Sequence, residues 1–161
     1  MKTTIKTITM ACLMLGLTIT SCQKETETAP APTPSLTKTQ LLTSKNWKMT
    51  AYTSNPAIDW NNNGTMVTDV YTQIPDCHKD DINKFNTNGV GIFDEGATKC
   101  DAADPQTTSG TWIFNTNETI ITIDDFYSYT IETLNATTLK MSSVYNDGTT
   151  NYTLTVTYTK Q

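Results

Sequence analysis

The sequence predicts an all-β protein: a small up-and-down antiparallel barrel of about eight strands, entered through one short N-terminal helix. Three observations carry this expectation. Thr, Tyr, Val and Ile crowd the second half of the chain, and such side chains suit a pleated, half-buried surface. The last stretch alternates with a period of two, Tyr152, Leu154, Val156 and Tyr158 on one face and Thr153, Thr155, Thr157 and Thr159 on the other. Similar stretches recur at roughly ten-residue spacing with Asn-, Asp- and Gly-rich turns between them and no intervening helix. Eight strands suffice to close a sheet on itself and remove both edges.

The barrel does not begin at residue 1. Residues 1–21 read as an export signal, with Lys2 and Lys6 ahead of a short, mostly apolar run from Ile8 to Ile19 that is too brief to span a bilayer as a helix. Ile19-Thr20-Ser21-Cys22 resembles a bacterial lipobox, which makes Cys22 the expected lipid-attachment residue; Cys12 lies inside the leader. Acyl chains at about 0.8 kcal/mol per buried CH₂ would make that attachment permanent. The expected location is therefore the outer membrane, on its periplasmic or cell-surface face. Residues 22–35 form the tether. Gln23-Lys24-Glu25-Thr26-Glu27 is similar to the Lys-then-acidic signals of surface-exposed lipoproteins, and reads equally well as a solvated polar start. The Ala29–Pro34 run (APAPTP) is stiff, and Gln23 to Pro34 reaches about 35–40 Å in polyproline conformation.

Residues 36–161 are the expected folded domain. Leu36–Ser44 reads as a short helix, since Thr37 and Gln40 have capping-box spacing and Leu36 can staple onto Leu41. From Trp47 the period is two, with Trp47, Met49 and Ala51 on one face until Asn55-Pro56 ends the strand. Asp59–Gly64 is a polar loop, and Met66–Tyr71 a further strand. Ile82–Thr87 and Val90–Asp94 form a hairpin across Asn88-Gly89, a pair suited to a type I′ turn. Ala97–Ser109 reads as loop. The remaining strands are Thr111–Phe114, Thr119–Ile123, Tyr127–Leu134, Leu139–Tyr145 and Asn151–Thr159.

Composition excludes one class of function. The net charge is −5 and becomes more negative once Lys2 and Lys6 leave with the signal. The chain has no arginine, so nucleic acid is not an expected partner, and neither is an anionic lipid surface held by charge.

Four groups of residues could carry chemistry. Cys77 and Cys100, in an exported chain, are expected to form a disulfide worth about 3 kcal/mol; a redox or metal pair would want CxxC spacing. Asp59, Asn61 and Asn63, then Gly64 and the Thr65 carbonyl, follow the first half of a calcium loop, but position twelve is Val70 and the nearest carboxylate is Asp69. The competing reading of that stretch is an Asn/Gly turn that satisfies its own backbone. His78, the single histidine, has Asp80 and Asp81 nearby, yet no nucleophile elbow and no second histidine for zinc. Adjacent aspartates point apart on a strand, so a loop-capping role is expected of them. Finally, Trp112, Phe114, Tyr152 and Tyr158 are the aromatic side chains expected to line or to fill the barrel interior.

Leu42–Trp47 (LTSKNW), Cys77–Phe85 (CHKDDINKF), Asp94-Glu95-Gly96 with Cys100, and Gly110-Thr111-Trp112 together resemble the bacterial lipocalin-like lipoprotein domains, across Leu36 to Lys160. Two positions depart from that pattern: Ser44, where glycine commonly precedes Lys-Asn-Trp, and His78, where an acidic residue is usual. The resemblance implies an eight-stranded lipocalin-type barrel and no particular activity. The expected function is a lipid-anchored, non-catalytic binding protein for a small, mostly apolar ligand. The alternative is a surface interaction module with a packed interior, contacting protein or glycan through loops 54–66 and 95–110, with calcium as its one candidate cofactor. A hydrolase built on His78 with Asp80 or Asp81 is a third class.

Overall fold

The computed structural model describes residues 35–161. The expected signal segment, the expected lipid-attachment residue Cys22 and the expected tether up to residue 34 lie outside the described residues.

Thr37 starts the folded part by capping. Its side-chain oxygen accepts the Gln40 N–H at 3.1 Å while the Gln40 side chain accepts the Thr37 N–H at 2.9 Å, so both halves of the capping box are made. Helix α1 (Lys38–Thr43) then buries Leu42 completely, and the Trp47 indole N–H donates to the Leu42 carbonyl at 2.8 Å. The helix plugs one end of a barrel.

That barrel consists of β1 (Asn46–Ile58), β3 (Ile82–Phe85), β4 (Val90–Asp94), β5 (Thr107–Phe114), β6 (Ile120–Ile123), β7 (Tyr127–Leu134), β8 (Thr138–Asn146) and β9 (Asn151–Lys160). Each strand pairs antiparallel with the next in this series, and β9 returns to β1 from Trp47↔Lys160 to Asn55↔Thr153. The result is a closed eight-stranded barrel, as expected. A short extra strand, β2 (Val67–Asp69), pairs with the far half of β1, followed by a 3₁₀ turn (Val70–Gln73) and helix α2 (Asp76–Lys79).

Several local expectations need correction. β1 does not stop at Asn55-Pro56 but runs to Ile58. Its ladder with β9 ends at Asn55 and its register with β2 breaks between Thr53 and Ile58, so the N–H that Pro56 lacks is not required. A bulge between Met49 and Ala51 reverses the alternation, which turns Tyr52 and the buried Ser54 inward instead of Ala51. Only 67–69 of the strand expected at 66–71 is extended. The β3–β4 hairpin turns through three residues: Gly89 N–H bonds to Asn86 O, Asn86 N–H bonds to Val90 O, and only Gly89 has positive φ (+80°). β5 begins at Thr107, inside the expected loop, because Thr107–Gly110 pair with Gly91–Asp94.

Two apolar clusters fill the two ends. Leu42, Trp47, Phe85, Trp112, Ile121, Leu139, Met141 and Val156 pack beneath α1. Ile58, Val70, Tyr152 and Leu154 pack beneath the 3₁₀ turn, and Tyr52 touches both clusters.

Candidate functional site

Between the two clusters the barrel is lined by tyrosine and is not filled. β1 and β3 stay paired only from Asn46↔Lys84 to Lys48↔Ile82 before they part, and residues 70–81 cover the gap. Three adjoining recesses of about 340, 170 and 170 Å³ lie here, all lined by Tyr158. The two smaller ones share Tyr129 as well, with Trp47, Phe93 and Met141 around one and Tyr52, Ser143 and Leu154 around the other. Burial pushes the hydroxyls of Tyr52, Tyr129 and Tyr158 up, Tyr52 to about 12; the neighbouring Tyr129 adds to the shifts of Tyr52 and Tyr158, and Tyr127 to that of Tyr129. They stay neutral and offer amphipathic walls: ring faces for apolar groups and hydroxyls for one polar contact.

The segment from Cys77 to Cys100 contributes to the rim of the largest of these three recesses. The disulfide forms, tying α2 to the loop after β4. Asp80 faces that loop, its Oδ2 accepting the N–H groups of Ala97 and Thr98, both at 2.9 Å. Gly96 has φ of +68°, and any side chain there would collide with the Asp80 carbonyl. Asp94 accepts from Gly96 N–H at 3.0 Å and from the Gln106 amide at 2.7 Å. While Asp80, the αR C-cap of α2, faces the loop, Asp81 faces the recess with His78 and Glu95. Its carboxyl is raised, first by desolvation, against the hydrogen bond from His78 and with the added charge of Glu95. Loop capping, expected of both aspartates, therefore describes Asp80 alone. Glu95, noted in the sequence only within the Asp94-Glu95-Gly96 run, joins this group because the disulfide and the β3–β4 hairpin bring it close to His78.

The four aromatic residues expected inside are distributed over three places. Tyr158 alone lines the central recesses. Trp112 is buried under α1, its indole N–H donating to Asn86 O at 3.1 Å and its ring packed edge-on against Phe85 and Phe114. Trp112 and Phe114 border an open recess of about 420 Å³ beside Thr39. Tyr152 belongs to the second cluster, and its hydroxyl donates to Asp147 at 2.9 Å. The Thr150 and Thr149 N–H groups hold the Asp147 carboxyl well below the usual carboxylate range. Tyr152 and Asp147 also line a recess of about 430 Å³ shared with Asp59, Trp60, Met66 and Tyr145.

The loop from Asp59 closes on its own backbone. Asp59 Oδ1 accepts Asn63 N–H at 2.9 Å, Oδ2 accepts Gly64 N–H at 2.8 Å, and Asn63 Oδ1 accepts Thr65 N–H at 2.9 Å. Gly64 takes the sharp turn at φ +83°. Asn61 donates to the Gln73 side chain at 3.0 Å, and Asp69 sits in β2 opposite Thr53.

A family model described as a lipocalin-like domain matches residues 43–141. No curated protein matches the chain.

Proposed function

Because the chain belongs to the family of lipocalin-like domains, we propose that it is a non-catalytic binding protein that holds a small, mostly apolar ligand inside the barrel. The single observation that carries this reading is the run of adjoining recesses sharing Tyr158, with neutral tyrosines and with Phe93, Met141 and Leu154 as walls. A site of this kind, mostly apolar with a few polar groups, suits a ligand buried over most of its surface. In this reading the chain is a lipoprotein of the outer membrane, attached through Cys22 and spaced from the bilayer by residues 22–35. The test of binding is native mass spectrometry of the full chain recovered from its own membranes and after exposure to lipid extract. A discrete bound mass is expected, and empty protein in every preparation would count against the ligand. Cys22→Ala is expected to move the protein from the membrane to the soluble fraction.

A second reading is favoured by the opposite end of the molecule. Met66, Val144 and Tyr145 are 57, 69 and 48% exposed, beside the recess that Trp60 and Tyr152 line. Apolar side chains of this size held open to solvent suit contact with a protein or glycan. Calcium enters this account as a weak ligand of the Asp59–Asp69 loop, since Asp59 and Asp69 are the loop's only carboxylates and no glutamate stands at position twelve.

A further inference from the structure

The rim of the largest of the three central recesses carries a set of groups that the binding reading does not use. A ring nitrogen of His78, a carboxylate oxygen of Asp81 and one of Glu95 all lie within 4.8 Å of one another. His78 Nδ1 stands 3.4 Å from Asp81 Oδ2, which is long for a hydrogen bond. It is close to the edge of a tetrahedron of ligands around zinc, about 3.3 Å for bonds of 2.0–2.1 Å. Asp81 Oδ1 and Glu95 Oε2 are shielded from solvent and find no hydrogen-bond donor among the described residues. Lys79, the nearest lysine in sequence, is engaged with Asp76 at 2.8 Å and lies over the Tyr71 ring. Two desolvated acceptors and an imidazole nitrogen converging at the mouth of a cavity call for a shared positive partner.

We propose that His78, Asp81 and Glu95 form a binding site for a divalent cation of the zinc class. One imidazole and two carboxylates make three protein ligands, the number found in zinc sites that keep a position open. All three residues line the recess of about 340 Å³, so the open position faces the space that Phe93, Ile82 and Tyr158 enclose. Calcium and magnesium are poor fits, because they take oxygen ligands and this set includes a nitrogen. The disulfide and Asp80 brace the site, the first by fixing α2 to residue 100 and the second by holding the loop that begins at Gly96. The proposal does not depend on whether the barrel interior holds an apolar ligand.

The test is calorimetric titration of the full chain, freed of metal and kept without reductant so that Cys77 and Cys100 stay bonded, with zinc chloride and separately with calcium and magnesium chloride. One zinc per chain is expected, with little heat from the other two ions. His78→Ala and Glu95→Gln should each weaken zinc binding at least about tenfold, while Lys79→Ala leaves it unchanged. His78 is 48% exposed at its side chain, and circular dichroism of each variant would establish that the barrel is retained. Absence of zinc binding, equal binding by His78→Ala and Glu95→Gln, or binding that appears only after the disulfide is reduced would each overturn the assignment.

Discussion

Gly96 and Gly64 both hold left-handed backbone, at φ of +68° and +83°, and differ in what surrounds them. A methyl group at Gly64 meets nothing within 4 Å, whereas at Gly96 it runs into the Asp80 carbonyl. Gly64→Ala is therefore expected to cost about 1–2 kcal/mol, the penalty of the backbone alone. Gly96→Ala should cost roughly 1–3 kcal/mol more, because it also displaces the Asp80 main chain. Urea unfolding of the two variants checks the ranking, and equal losses would contradict it. The tyrosines give a second expectation at this scale. The folded pKa values of Tyr52, Tyr129 and Tyr158 are raised, so their burial stabilises the barrel fully below the unfolded value near 10. That contribution is lost as pH rises from about 10 through the folded values, since the unfolded chain gives up its protons first. Tyrosinate absorbance should rise in two stages, the later one together with loss of the sheet signal. A single stage near pH 10 with the barrel intact would exclude this account of the interior.

Among the elements, the Cys77–Cys100 link joins α2 to the loop after β4 across a separation of 23 residues. Cys77→Ser with Cys100→Ser should cost about 3 kcal/mol and lower Tm, by restoring freedom to the unfolded chain. The Asp59 loop gives a contrasting expectation, because its carboxylate already holds the Asn63 and Gly64 N–H groups. Chelator alone should leave Tm unchanged, and only millimolar calcium should raise it, an effect that Asp59→Ala removes. No rise at any calcium concentration would remove the ion from this loop. The strands after Tyr127 were legible in the sequence because each alternates cleanly between turns of Asn, Asp and Gly. β1 was legible only in part. Its bulge after Met49 and its passage through Pro56 follow from the unequal partners along its two edges, which local pattern does not contain. The β3–β4 turn illustrates the same limit: Asn88-Gly89 admits two kinds of hairpin, and the ladder decides between them.

For the molecule as a whole, barrel closure was readable from strand number and spacing, and it rests on the β1–β9 pairing of the most distant strands in the chain. The interior was not readable. Whether a tyrosine fills a barrel or lines a space depends on the volume left by all its neighbours, so Tyr158 reached the central recesses while Trp112, Phe114 and Tyr152 did not. That Glu95 joins His78 and Asp81 at the rim was hidden for a related reason: residues in α2, just before β3 and just after β4 meet only after the hairpin and the disulfide have formed.

The central claim is that ligand enters the tyrosine-lined space, and Ser143 offers direct access to it. Ser143 lines the recess between Tyr52, Tyr129 and Tyr158, where a phenylalanine ring would occupy much of the roughly 170 Å³. The measurement is fluorescence titration of the full chain with a fatty-acyl probe, comparing the natural protein with Ser143→Phe after circular dichroism shows the barrel retained in both. Saturable one-to-one binding that weakens at least about tenfold in Ser143→Phe, a loss of about 1.4 kcal/mol or more, is the result expected. Equal binding by the two proteins, or no saturable binding by either, would contradict the claim.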